Sequence, residues 1–210
     1  ETGGVGPHEV ILLSDGRTLA VANGGYETLP VTGRTPLDLA SMKPSLVFIG
    51  RETGTIVARH EPPPGQRLLS IRHLAEDAHG HVWFGAQWEG GPDDIPDVIG
   101  WARPDQALRT FAAPAATGAG LKGYIGSVAA SRDGRTIAAS APRAGRVLVI
   151  DAEAMSLSRV LELPDACGLA PDEAQGITIS TGFGRLVDSR RGADTAPLAE
   201  HPGLAFDNHM

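Results

Sequence analysis

The chain has a single cysteine, Cys167, in 210 residues. No intrachain disulfide can form, and neither a paired-cysteine zinc site nor a C-x-x-C-H haem attachment is encoded. A basic cluster is missing as well. Lys and Arg number 18 against 25 Asp and Glu, a net charge of -7, so no surface concentrates enough positive charge to hold a nucleic-acid backbone. No apolar run approaches the ~18 residues of a membrane span. The chain starts at Glu1 without an initiating methionine or a signal peptide, and is therefore expected to be part of a longer polypeptide.

What is plentiful is the material of turns. The 27 Gly and 16 Pro make up about a fifth of the chain, where ordinary proteins carry roughly an eighth. At 41% hydrophobic the chain is too apolar to be disordered, so many short strands joined by tight turns are expected.

Those strands repeat. Aligned on a turn glycine, four segments match: HEVILLSDGRTLAVA (8 to 22), RHLAEDAHGHVWFGA (72 to 86), GSVAASRDGRTIAAS (126 to 140) and CGLAPDEAQGITIST (167 to 181), whose run up to the glycine is one residue longer. The glycines are Gly16, Gly80, Gly134 and Gly176, separated by 64, 54 and 42 residues. Each unit reads strand, turn, strand, with glycine accepting the positive φ of the turn. A second strand pair follows at 45 to 61, 98 to 114 and 146 to 164, and more weakly at 185 to 201. An all-β fold follows, with β-propeller blades of four antiparallel strands, about four blades here at approximately 6–62, 70–114, 123–164 and 166–210. Two stacked sheets with regular strand spacing are the alternative. Only DLASM (38 to 42) and PDEA (171 to 174) read as short helical turns.

In a propeller the first strand of each blade lines the central channel, and its entrance shares a face with the connections between second and third strands. His8, Glu9, Arg72, His73, Ser127 and Cys167 are thereby expected at the channel mouth, together with the long insertions 23 to 44 and 87 to 97. Imidazole and carboxylate suit iron or zinc. The candidate ligands are His8, Glu9, His73 and Cys167, with Asp207 and His209 of the closing FDNHM, and Arg72, Tyr124, Ser127 and Asn23 as supports. In the alternative, His8 and His73 bond neighbouring backbone and the tail merely ends a strand. His79 and His81, flanking Gly80, read as a solvated turn. Trp83 and Trp88 read as packing groups and Trp101 as a third-strand residue. TGAGLKGYIGS (117 to 127) lacks the strand-loop-helix context of a phosphate loop.

GVGPHEVILLSDGRTLAVANGG, PSLVFIGRETG, LSIRHLAEDAHGHVWFGAQWEG, GYIGSVAASRDGRTIAASAPRAGRVLVID, CGLA and FDNHM together resemble the bacterial domain-of-unknown-function family fifteen-thirteen. The resemblance spans essentially the whole chain. It implies a seven-bladed, quinoprotein-type ring exported by the twin-arginine route to the periplasm, of which this chain is the carboxy-terminal four blades or so. It also implies an association with periplasmic iron-acquisition proteins, imelysin-like and haem-peroxidase-like. No reaction is implied, so the cofactor stays open, with iron or another transition metal as the candidate.

Three functions compete at this stage. The first is a binding or scaffold module holding an iron species or partner at the channel mouth. The second is a metal-assisted hydrolase or oxidoreductase using the same axial site, against which stands the lack of a G-x-S-x-G elbow or an H-E-x-x-H motif. The third is an interaction protein that uses only its insertions. An arc of four blades leaves sheet flanks exposed, so further blades or self-association are expected to cover them.

Overall fold

A computed structural model of the chain describes residues 1–27, 39–114, 117, 119–190 and 197–209. Among them run sixteen strands in four four-stranded antiparallel sheets. The first sheet holds β1 (Pro7–Leu12), β2 (Thr18–Asn23), β3 (Ser45–Gly50) and β4 (Ile56–His60), and the second β5 (Leu69–Glu76), β6 (Val82–Trp88), β7 (Ile99–Arg103) and β8 (Gln106–Thr110). The third holds β9 (Ser127–Ala130), β10 (Thr136–Ala141), β11 (Arg146–Asp151) and β12 (Ser156–Glu162), and the fourth β13 (Ala166–Pro171), β14 (Ile177–Thr181), β15 (Arg185–Asp188) and β16 (Ala199–Glu200). Every sheet is a plain meander, each strand bonded to its sequence neighbour.

The first strands stand side by side, β1 against β5, β5 against β9 and β9 against β13. Two stacked sheets would not produce that succession, so the sheets are propeller-like blades. Between them lies a core of large side chains. Trp83, Phe48, Phe84, Leu46, Leu69 and Ile71 are fully buried in a cluster shared by the first three blades, and a second cluster joins blades three and four through Leu161, Leu169 and Ile177. Gly85 marks how closely blades two and three approach, since a Cβ there would lie 2.4 Å from Ile125 Cγ2.

Each first hairpin is tied by an aspartate. Asp15 accepts the N–H groups of Arg17 (2.7 Å) and Thr18 (2.9 Å), Asp77 those of His79 (2.8 Å) and His81 (2.9 Å), and Asp133 that of Arg135 (3.1 Å). In the fourth hairpin Asp172 accepts from Ala174 and Gly176, both at 2.7 Å. Such Asx turns let a short side chain replace backbone partners. Gly16, Gly80 and Gly134 take the positive φ as expected, at 68°, 76° and 66°. In the longer fourth turn that conformation falls on Gln175 (φ 64°) instead of Gly176.

The helical expectations at 38–42 and 171–174 are corrected. Residues 39–41 and 173–174 are bends and turns, Asp38 lies outside the described residues, and Pro171 ends β13. The short 3-10 turns occur elsewhere, at Pro64–Gln66, Ala119–Leu121 and Pro142–Ala144. No helix among the described residues is long and apolar enough to cross a membrane.

Candidate functional site

The first strands begin at the end of the molecule opposite the aspartate-tied turns, and three of them carry an irregularity there, β13 between Ala166 and Leu169 and the other two a one-residue bulge. β1 pairs Pro7 with Asn23 and Glu9 with Ala22, which leaves His8 as the extra residue of a bulge. β5 pairs Ile71 with Ala86 and His73 with Gly85, which leaves Arg72 in the same role. A bulge re-aims its side chain out of the pleat. His8 and Arg72 both lie eight residues before their turn glycines, Gly16 and Gly80. At that offset from Gly134 the third blade has Gly126. A Cβ there would meet Asn208 Oδ1 at 2.8 Å and Pro142 Cδ at 2.9 Å, so the missing side chain is what admits the chain's tail.

The tail carries His209 to His8 and His73. One ring nitrogen from each of the three can be chosen so that all lie within 4.8 Å of one another. The His8 and His73 rings meet edge to face at 4.8 Å between centroids, with His209 at 6.0 and 5.4 Å from them. Tetrahedral zinc with Zn–N bonds of about 2.0–2.1 Å sets its nitrogens about 3.3 Å apart, so closing on an ion takes shifts of about 1 Å. His8 and His209 are exposed and have room for that movement. The His73 side chain is 5% exposed and is held from behind.

Glu9 does the holding. Its Oε2 accepts the Leu74 N–H at 2.7 Å and lies 3.5 Å from His73 Nδ1. Asp207 stands to His209 in a looser version of the same relation, accepting the His209 N–H at 2.9 Å and lying 3.7 Å from its Nδ1. A carboxylate beside Nδ1 favours the proton there and leaves Nε2 as a base for a ligand. His8 sits in different surroundings. Desolvation, then the positive potentials of His73, Arg72 and His209, lower its pKa from 6.5 to about 4. The imidazole is thus an unprotonated donor at neutral pH, the form that binds metals.

The trio opens on a cavity of about 210 Å³, which is lined further by two arginines and two tyrosines. Arg72 donates from Nε to Ser70 Oγ (2.9 Å) and from Nη2 to the Tyr26 hydroxyl, with Glu89 Oε1 4.0 Å from Nη2. Tyr26 in turn donates to Glu89 at 2.8 Å. Burial pushes the Tyr26 phenol up to about 12, so it serves as a neutral donor and not as a phenolate ligand. On the opposite wall Arg143 Cζ sits 4.0 Å over the Tyr124 ring, and Asn208 Nδ2 donates to the Tyr124 hydroxyl at 3.2 Å.

The model of the family described as "Protein of unknown function (DUF1513)" matches residues 1–210. The chain belongs to that family. No curated protein matches it. Among solved structures, the crystal structure of a protein of unknown function from Bacteroides caccae is similar, with a TM-score of 0.56 and 12% identity over 95% of this chain and 67% of that one. At that identity the likeness is one of fold.

Of the residues singled out from sequence in this family member, His8, His73, His209, Arg72 and Tyr124 line the cavity, and Glu9 and Asp207 stand beside its imidazoles. The others are engaged elsewhere. Ser127 Oγ accepts the Leu169 N–H at 3.3 Å, joining blades three and four. Cys167 is buried with its thiol donating to the Asp165 carbonyl at 3.1 Å, and burial, then Asp165, push its pKa up to about 11. Asn23 is buried between the Thr2 carbonyl and Ser45 Oγ. Of the other lining residues, Tyr26, Gln87 and Glu89 belong to the insertions expected at the mouth and Asn208 to the closing FDNHM, while Arg143 was not anticipated. Tyr26, Glu89 and Arg143 lie on connections between second and third strands and Gln87 near the end of β6; the connection that carries Arg143, PRAG of blade three, is so short that no insertion signals it.

The histidines of the aspartate-tied turn are not simply solvated. Asp77 is buried and also accepts from His81 Nδ1 (2.9 Å) and Trp83 Nε1 (2.8 Å), while the His81 ring lies 4.6 Å from Trp101. With Asp77 filled by four donors, that cluster is a structural clasp.

Proposed function

We propose that this protein is a β-propeller binding module that holds one transition-metal ion at its channel mouth through His8, His73 and His209. The convergence of three imidazoles within 4.8 Å, from two first strands and the tail, carries the reading. Three neutral imidazoles suit zinc, copper, iron or nickel, with Glu9 and Asp207 orienting two of them. Those ligands leave an open coordination position toward the cavity, where a small molecule or a partner's side chain completes the shell. A metal-assisted hydrolase or oxidoreductase is the second reading, favoured by that open position beside Arg72, Tyr26 and Glu89.

The resemblance in sequence supports a location in the periplasm after twin-arginine export, beside proteins of iron acquisition, as part of this proposal. It also makes the four blades part of a seven-bladed quinoprotein-type ring, a proposal supported by the bare outer face of β1, where Val10 and Leu12 are 58% and 49% exposed. Self-association is the other way to cover that face.

Metal titration tests the site. Calorimetry with Zn²⁺, Cu²⁺, Ni²⁺ and Fe²⁺ is expected to give one ion per chain, lost in His73→Ala, while circular dichroism reports an intact fold. Absence of binding by every ion, or full binding in His73→Ala, overturns the reading.

A further inference from the structure

The cavity wall that holds no metal ligand has a chemistry of its own. Arg143 has no acidic partner among the described residues; its one recorded contact is the face of Tyr124. Its guanidinium edge therefore remains available to an incoming acceptor. The Tyr124 hydroxyl already accepts from Asn208, so its own proton is left to donate. Gln87 adds an amide to the same lining. The other cation, Arg72, is matched by Glu89. Glu9 and Asp207 are occupied by backbone N–H groups and imidazoles, and neither lines the cavity. A divalent ion on three neutral imidazoles would thus face an unpaired guanidinium and a phenolic donor across a small void, with no free carboxylate between them.

Size narrows the occupant. The cavity of about 210 Å³ is below the ~300–1,000 Å³ of pockets for drug-sized ligands. An ion and an anion of a few heavy atoms fill it. A planar oxyanion matches the fork of a guanidinium through two parallel N–H···O bonds, which are the strong, charge-assisted kind.

We infer that the site takes its metal together with a small planar oxyanion, carbonate or a short monocarboxylate, that bridges the ion's open position to Arg143 and Tyr124. The inference rests on the three-histidine reading above. Each partner then raises the affinity for the other, as thermodynamic linkage requires. The anion neutralises charge that the protein leaves uncompensated, and the metal orients the anion.

The test is Co²⁺ titration of the whole chain, followed by visible absorption and calorimetry, in CO₂-free buffer and again with bicarbonate or with acetate. The readout is the ratio of dissociation constants without and with the anion. Wild type is expected to bind at least tenfold tighter with one of the two anions, and Arg143→Gln to show a ratio near one, with Arg143→Lys between them. The bicarbonate and acetate arms distinguish carbonate from a monocarboxylate. Equal Co²⁺ binding in all buffers overturns the anion inference and leaves the metal site standing. Equal tightening in wild type and Arg143→Gln overturns Arg143 as the anion's seat. Failure of wild type to bind Co²⁺ in any buffer overturns the three-histidine reading, and this inference with it.

Discussion

β1 and β5 occupy the same place in consecutive blades, yet their surroundings differ. β5 is flanked on both sides, by β1 and β9, and its residues Leu69, Ile71 and Leu74 are all buried. β1 has β5 on one side, and on the other its alternate residues Val10 and Leu12 are exposed. Each strand contributes one histidine to the trio, so the site straddles a rigid wall and a freer one. A buried imidazole held by Glu9 sets the position, and exposed imidazoles close on what arrives. Bulges at matching offsets supply the difference in aim, since His8 and Arg72 each leave the pleat where a regular strand would point sideways.

The largest expected contrast is in stability. Ile71→Ala on β5 opens a cavity in a filled core and is expected to cost about 3 kcal/mol in urea unfolding. Val10→Ala on the bare side of β1 should stay within about 0.5 kcal/mol. A Val10 cost approaching that of Ile71 would mean that β1 is covered in solution, and the contrast between the strands would collapse.

The two carboxylates offer a second contrast, in metal affinity. Glu9→Gln keeps the shape but removes the charge behind the buried His73, and is expected to weaken Zn²⁺ binding about 10- to 100-fold by calorimetry. Asp207→Asn acts on an exposed ring at 3.7 Å and should fall below that range. If the two variants weaken binding equally, the rigid and yielding halves of the site are not distinct.

His8 sharpens the picture through pH. Its folded pKa, lowered by desolvation and by His73, Arg72 and His209 to about 4, lies below the 6.5 of the unfolded chain. The folded form therefore binds fewer protons between these values. The stability associated with His8 is present above pH 6.5 and is lost as pH falls toward 4. NMR titration of the metal-free protein should place its midpoint well below 6.5, and Arg72→Gln should raise it. A midpoint at 6.5 would show that the ring is not held against its neighbours.

The smallest expected effect concerns β13, whose irregular start places Cys167 inside instead of at the mouth. With its thiol held up to about 11 by burial and Asp165, alkylation by iodoacetamide at pH 8 should be slow in the native protein and rapid in urea. Rapid native labelling would move Cys167 to the open side of the comparison.

Much of this molecule is legible without coordinates. Turn residues at a recurring offset from two apolar runs specify a hairpin through local φ preference and alternation, and that holds for SDG, AHG and RDG alike. The placement of His8, Glu9 and His73 near one opening follows once the hairpins are taken as blades. Arg143 escaped because nothing local marks it; it enters the cavity only through the short connection that follows a second strand. Ser127 shares the alignment with Glu9 and His73, and Cys167 opens the fourth segment as His8 opens the first, but their polar atoms serve contacts within and between blades three and four.

The amino-acid sequence by itself determined the strands, the turns and the repeat, because those depend on neighbours within a few positions along the chain. Tertiary structure alone decided which way His8 and Arg72 point, that Gly126 makes room for the tail, and that His209 meets His73. Those outcomes depend on bulges and close approaches between segments far apart in sequence, where a shift of an ångström decides what touches.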